Sequence, residues 1–173
     1  MPSQGRGNAK DISILGMLLA LAVLAGYVEM LLPVNIGFPG VKLGLANVVI
    51  LYVLYDRGMK SALLISLIRT FIIAVLFAAP GMLVFSFFGA AVSLAFMNKL
   101  KKDGRFSIYG VSAAGGVAHN ITQFMMAMLI SGGAQAAEYM FMFYLPILSI
   151  AGEAAGLINA LIADNVYKRL KRG

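Results

Sequence analysis

Four ionisable side chains interrupt the long apolar stretches of this 173-residue chain, and they are its main candidates for chemistry. Such groups are costly in an apolar environment, so they usually face a partner or a polar cavity. In either place they can bind an ion, contact the polar part of a ligand or transfer a proton. The four are Glu29, Arg69, His119 and Glu153, and Lys42 lies at the start of a further apolar run.

Pairing among these groups is the first alternative to ligand binding. Glu29 and Lys42 flank one loop, so they either pair with each other or both face a ligand. Arg69 and Glu153 either neutralise one another between helices or contact a polar part of a substrate. The two acidic groups nearly cancel the two basic ones, so the charge of a ligand is not predicted.

The most concentrated polar cluster is the segment 118–123, with the sequence AHNITQ. On a helix, His119 and Gln123 are one turn apart, and Asn120 and Gln123 also share a side. This face predicts either hydrogen bonds that hold helices together or one wall of a ligand site.

Several kinds of chemistry are excluded by what the sequence lacks. It has no cysteine and one histidine, so neither thiol chemistry nor a thiolate or multi-histidine metal site is expected. It has no phosphate-binding Gly-x-x-x-x-Gly-Lys-Ser/Thr loop, so the chain does not hydrolyse ATP itself. Its aspartates are scattered, whereas a prenyl diphosphate synthase needs clustered aspartates to hold magnesium against a diphosphate. We therefore expect no catalysis by this chain alone, and no cofactor or metal.

The composition predicts the class of protein that must position these groups. Hydrophobic residues make up 61% of the chain and charged residues only 12%, against about 25% in a soluble domain. The net charge of +7 is spread between apolar runs, which is how membrane topology is encoded, so no nucleic-acid partner is expected. The sequence therefore predicts a multi-pass protein of a cell membrane, embedded in the lipid bilayer.

The apolar runs predict an all-α fold of six transmembrane helices. We expect a cytoplasmic segment at 1–11, a membrane domain at 12–166 and a basic cytoplasmic tail at 167–173. A Gly- and Pro-rich loop follows the first helix, and Pro146 is expected to bend the last one. The predicted helices are Ile12–Leu32, Lys42–Tyr55, Ser61–Ala79, Met82–Asn98, Ser107–Ile130 and a last one from about Glu138 to Val166.

The distribution of positive charge predicts the orientation. In a six-helix arrangement with both ends in the cytoplasm, every Lys and Arg except Lys42 and Arg69 falls on the cytoplasmic side. Inverting the protein would reverse this bias, so the positive-inside rule favours both termini inside.

Small residues at i, i+4 spacing predict surfaces where helices approach closely. The last helix has Gly152, Gly156 and Ala160 at this spacing, which favours packing within the protein. The first helix has Gly16 and Ala20, which serve either internal packing or a partner. The pair Ala22 and Gly26 in the same helix leaves the same two alternatives open.

Four blocks of sequence resemble a known family of membrane proteins. They are GYVEMLLP at 26–33, GVKLGLAN at 40–47, GVAHNITQ at 116–123 and GEAAGLINA at 152–160. The similarity extends over nearly the whole chain after residue 11. These blocks look like those of the proteins called Gx transporter or heptaprenyl diphosphate synthase component I. That family is similar in turn to the substrate-binding S components of energy-coupling factor (ECF) transporters.

The resemblance implies a fold, partners and a site. S components are six-helix proteins that bind a vitamin or another micronutrient on the outer side of the membrane. A separate transmembrane T component and two ATPase subunits drive their reorientation. By this resemblance the loop between helices 1 and 2 would cover the site, and Gly16 and Ala20 would contact the T component.

The sequence and the resemblance together predict an S-component-like uptake subunit for a vitamin, a cofactor or an isoprenoid or quinone precursor. The main alternative is a non-catalytic membrane subunit in prenyl diphosphate or quinone metabolism, or in an electron-transfer assembly. A membrane-embedded enzyme that uses His119 and Glu153 is the third possibility, and it requires the two to lie within hydrogen-bond reach. The predicted substrate-binding residues are Glu29, Lys42, Asn47, Arg69, His119, Asn120, Gln123 and Glu153.

Overall fold

The computed structural model describes residues 4–31, 44–77, 80–131 and 134–172 of the chain. Every regular element in these ranges is an α-helix, which confirms the predicted all-α class for the described residues. The helices are α1 (Gln4–Leu31), α2 (Leu45–Asp56), α3 (Met59–Leu76), α4 (Pro80–Asp103), α5 (Ile108–Ser131) and α6 (Ala134–Arg172).

Four stretches within these helices are long and apolar enough to cross a membrane. The short helix α2 is apolar too, but its length falls below that of a full span. Large apolar side chains also point outward, among them Met17 at 72% exposure and Leu129 at 74%. Outward apolar faces of this kind fit lipid rather than water, so the chain is a membrane protein. The four stretches are Ala9–Leu31, Met59–Leu76, Leu83–Asp103 and Leu145–Leu170.

The first and last helices are longer than the sequence predicts. Helix α1 begins at Gln4 rather than at Ile12, and α6 runs from Ala134 to Arg172 rather than ending at Val166. The proposed terminal segments 1–11 and 167–173 therefore continue the helices for most of their length. Charged and polar residues at a helix end do not stop it, because they are ordinary helix formers.

Proline marks two positions with different consequences. Pro80 follows the end of α3 and is the first residue of α4, where a missing N–H leaves no helical hydrogen bond unmade. Pro146 lies inside α6, and the helix continues through it.

The basic end of the bundle is held together by contacts between α1, α2 and α4. Arg57, in the turn after α2, forms ion pairs with Asp11 of α1 at 2.6 Å and with its neighbour Asp56 at 3.0 Å. The Nζ atom of Lys101 in α4 donates a hydrogen bond of 2.6 Å to the Leu54 carbonyl of α2. These contacts gather the cationic ends of three helices on one side of the molecule.

Helices α5 and α6 pack with their backbones in contact. A Cβ atom added to Gly152 would lie only 2.6 Å from the carbonyl oxygen of Gly116, so neither residue has room for a side chain. Gly156 is buried against α5 in the same way, and Ala160 is fully buried further along α6. The small residues of α6 therefore serve packing within the protein.

The small residues of α1 fall on two different faces. Ala22 is fully buried, and Gly26 lies against Ile73 of α3. Gly16 and Ala20 are exposed, and no atom lies within 4 Å of a Cβ added to Gly16. The first pair thus packs inside, and the second pair faces outward.

Candidate functional site

All six helices line one cavity of about 130 Å³. Its wall near the ends of α1 and α3 includes Glu29 and Phe77, and α2 contributes Asn47 from its first turn. These helix ends are remote from the basic end described above. Of the residues predicted from the sequence to form a site, the cavity brings together Glu29, Asn47, Arg69, His119, Asn120 and Gln123.

Glu29 connects α1 to the beginning of α2. Its Oε1 atom accepts a hydrogen bond from the backbone N–H of Gly44, the residue that caps α2. Gly44 has a φ of +70°, a conformation that glycine adopts without strain. Because the N-terminus of a helix carries partial positive charge, a carboxylate is favoured there. Glu29 thus supplies the cap that α2 lacks in its own sequence.

Arg69 lies on α3 and presents a buried donor to the cavity. Its Nε atom has no hydrogen-bond partner in the described part of the chain. The Glu29 carboxylate attracts the Arg69 guanidinium electrostatically. The ion pairs among the described residues, however, do not include one between Glu29 and Arg69. A guanidinium donor left unpaired in a buried place is costly, so Arg69 is the most conspicuous polar group of the site.

Glu153 is not part of this cavity. Its neighbour Gly152 lines the cavity from α6, whereas the side chain of Glu153 is exposed on the outer face of that helix. No ion pair joins Arg69 to Glu153 among the described residues, so the predicted neutralisation between helices is absent there. A membrane-embedded enzyme would require His119 and Glu153 to lie around one open cavity. Among the described residues, His119 lines the cavity and Glu153 does not.

The polar cluster of α5 both holds helices together and faces the cavity. The amide nitrogen of Asn120 donates a 2.8 Å hydrogen bond to the Leu148 carbonyl of α6. The amide nitrogen of Gln123 donates a longer bond, 3.4 Å, to Ser86 Oγ of α4. His119 and Gln123 lie against Gly89 of α4, where an added Cβ would be 2.9 Å from Gln123 Cγ. The first alternative, hydrogen bonds between helices, is therefore confirmed for this face, and the same face lines the cavity.

Asn159 of α6 is a cavity residue that the sequence reasoning missed. It is 3% exposed, and its Oδ1 atom has no hydrogen-bond partner in the described residues. Its amide nitrogen lies 3.1 Å from where a Cβ on Gly44 would be, so it meets the beginning of α2. The signal was present in the sequence, because Asn159 follows Gly152 and Gly156 at helical spacing and so shares their inward face.

Two further observations bound the chemistry of the site. Lys42, predicted to bind substrate, lies outside the described residues. Within the described ranges, no three His, Cys, Asp or Glu side chains lie close enough together to hold a metal ion. The polar groups in the described lining are hydroxyls, amides, an imidazole, a carboxylate and a guanidinium, and they alternate with apolar side chains such as Ile73, Phe77 and Leu94.

Comparison with known proteins gives one positive result. No curated protein and no solved structure matches the chain. The family described as heptaprenyl diphosphate synthase component I matches residues 18–166. This match includes every residue that lines the cavity. The chain therefore belongs to the heptaprenyl diphosphate synthase component I family.

Proposed function

We propose that the protein captures a small molecule in this cavity, as the S component of an ECF-type uptake transporter does. The observation that carries the proposal is the pair of unsatisfied buried atoms, Arg69 Nε and Asn159 Oδ1, which belong to two residues that line the same cavity. Buried polar groups are almost always hydrogen-bonded in native proteins, and each orphan costs about 1–3 kcal/mol. A bound solute that pairs with both atoms would remove that cost.

The direction of uptake follows from charge. The cavity reaches helix ends remote from the basic end, and the positive-inside rule assigns the basic end to the cytoplasm. The cavity would then face the outside, with both termini inside. This arrangement suits a protein that collects a scarce solute before it crosses the membrane.

Partners in trans are part of the proposal. The chain has no phosphate-binding loop, so transport would require separate ATPase subunits and a T component. Gly16 and Ala20 support such a contact, because they are exposed on α1 and leave room for another helix to approach.

The family name favours a second candidate function. A component of a heptaprenyl diphosphate synthase would be a non-catalytic membrane subunit in prenyl diphosphate or quinone metabolism, or in an electron-transfer assembly. The scattered aspartates agree with a subunit that does not itself hold magnesium and diphosphate. On this alternative the protein would capture no solute and would copurify with a prenyltransferase or redox subunit.

Native mass spectrometry of the gently purified protein separates the two. Solute capture predicts a bound small molecule of defined mass that is lost in the double variant Arg69→Gln, Asn159→Leu. The matched control is Asn165→Leu, which removes an exposed amide from the same helix and should keep the ligand. A wild-type protein that is always empty, yet carries a prenyltransferase or redox subunit, would support the second function instead.

A further inference from the structure

We infer that the cavity selects a small, electrically neutral ring that has an N–H donor close to a carbonyl acceptor, as in a lactam or a ureide. The inference rests on the proposed capture of a solute, and it adds the chemical class. Three independent features of the described residues lead to it: the direction of the unsatisfied hydrogen bonds, the balance of charge and the size of the cavity.

The two unsatisfied atoms have opposite hydrogen-bonding character. Arg69 Nε is a donor and needs an acceptor such as a carbonyl oxygen, because a guanidinium has no acceptor of its own. Asn159 Oδ1 is an acceptor and needs an N–H or O–H donor. A carboxylate or a diphosphate offers acceptors only, so either would leave the Asn159 oxygen unpaired and place negative charge beside it.

The beginning of α2 brings Glu29 and Asn159 together. Gly44 donates its N–H to Glu29, and the amide of Asn159 packs against the same glycine. Glu29 in turn is the carboxylate that attracts Arg69. Glu29 and Asn159 thus meet at Gly44, and Arg69 lines the same cavity, so a ligand in the cavity would have all three residues around it.

Charge balance favours a neutral ligand. Among the described residues that line the cavity, Glu29 carries the negative charge and Arg69 the positive charge, and these cancel. In a site of low dielectric constant, a ligand with a net charge would find no compensating charge among the described lining residues, which is strongly unfavourable. A diphosphate, with several negative charges, would also be repelled by Glu29.

The volume limits the ligand to about one ring. The cavity of about 130 Å³ is close to the roughly 150 Å³ apolar cavity that admits benzene in another protein. A long polyprenyl chain does not fit within such a space. The lining combines hydroxyls and amides with apolar side chains, which suits a ring that has polar groups on its edge.

The test compares ring compounds of similar size and different charge, with the full chain in lipid nanodiscs and isothermal titration calorimetry as the readout. The probes are uracil (neutral, with N–H and carbonyl groups), orotate (an anion), benzamidine (a cation) and isopentenyl diphosphate. We expect uracil to bind at least about tenfold more tightly than the charged probes, since each charged probe brings a net charge that the described lining does not offset.

Charge variants make the test specific to Glu29 and Arg69. Glu29→Gln should shift the preference toward orotate, and Arg69→Gln should shift it toward benzamidine. The double variant should lose the preference for either charged probe, because its cavity is again neutral. The melting temperature and elution volume of each protein serve as the folding controls.

The outcomes separate the inference from the proposed function. A wild-type protein that binds orotate or isopentenyl diphosphate most tightly would overturn the inference and leave solute capture standing. Charge variants that fold well and keep the wild-type order of probe affinities would also overturn the inference. If no probe binds, the molecule retained in native mass spectrometry decides: a neutral ring with N–H and carbonyl groups supports the inference, and any other compound overturns it. An empty protein that also binds no probe contradicts the proposed function itself.

Discussion

Glu29 acts on two neighbours at once, and this double role makes it the residue on which the site most depends. Its carboxylate caps α2 through Gly44 and supplies the negative charge that offsets Arg69. Glutamine at this position keeps an acceptor for the Gly44 N–H but removes the charge. The two roles can therefore be separated by one substitution.

Glu29→Gln is expected to lower the stability of the protein by about 1–3 kcal/mol, because it removes the negative charge that partly compensates the buried Arg69 guanidinium. Glu153→Gln should not lower it, because the Glu153 side chain is exposed outside the cavity. Thermal unfolding in detergent, followed by circular dichroism, measures both. Equal destabilisation by the two substitutions would show that Glu153 has a partner like that of Glu29.

Much of the site could be predicted from residue type, because polar side chains are conspicuous within apolar helices. Glu29, Arg69 and His119 were found in this way, and the structure brings them to one cavity. Glu153 was grouped with them because depth along a helix can be estimated from sequence, whereas the face that meets its neighbours depends on packing. Asn159 was overlooked because an uncharged amide stands out less than a charge.

Helices α5 and α6 form the most tightly packed pair, through the glycines described above. A close approach of this kind has no flexible side chain that could move aside, because the neighbouring atom is a backbone carbonyl. The rest of the bundle packs through larger side chains such as Leu51, Leu54 and Leu94, which are almost fully buried.

Gly152→Ala should therefore destabilise the protein by about 1–3 kcal/mol through overpacking. Gly16→Ala is the matched control, because a methyl group there meets no atom within 4 Å and alanine favours a helix by about 1 kcal/mol. Chemical unfolding of both variants in the same detergent gives the comparison. A Gly152→Ala protein as stable as the control would mean that α5 and α6 can separate at little cost.

The ion pair between Asp11 and Arg57 should contribute little by comparison. The Asp11 side chain is 60% exposed, and exposed pairs are worth about 0.2–1 kcal/mol. Asp11→Asn is accordingly expected to lower the unfolding free energy by less than about 1 kcal/mol. The small difference in unfolding free energy between the variant and the wild type should vanish in high salt. A loss of stability that persisted in high salt would point to a different role for Asp11.

At the scale of helices, the sequence predicted that each helix exists but not where it ends. Long apolar runs specify a membrane helix because every backbone polar group must be paired in lipid. The ends lie where charged residues meet water, and helices such as α6 simply continue through them. The beginning of α2 depends on Glu29 from another helix, so no local signal could reveal it.

Across the whole molecule, the positive charges lie at one end, and this asymmetry predicts the orientation in the membrane. The chain has no cysteine, so single cysteines can be labelled without background. Ser107 lies in the link from α4 to α5 at the basic end, and Ser131 ends α5 at the opposite end.

With a membrane-impermeant thiol reagent, Ser131→Cys should react in intact cells and Ser107→Cys only after permeabilisation. The physical reason is that the basic end stays in the cytoplasm during insertion. Each protein is the control for the other, since both carry the same substitution in the same chain. The reverse pattern would place the cavity on the cytoplasmic side and would contradict uptake from outside.

The contribution of all six helices to one cavity also affects how the protein is made. Glu29 enters the membrane early, Arg69 follows, and Asn159 arrives only with α6. At a translation rate of about 5–20 residues per second, the charges of Glu29 and Arg69 lie in the bilayer for on the order of ten seconds before the bundle is complete. An incomplete chain exposes charge to lipid, which is costly, so attraction between Glu29 and Arg69 would already help the nascent protein. Glu29 and Arg69 would then stabilise the unfinished chain in the membrane and, once α6 has inserted, bind the ligand.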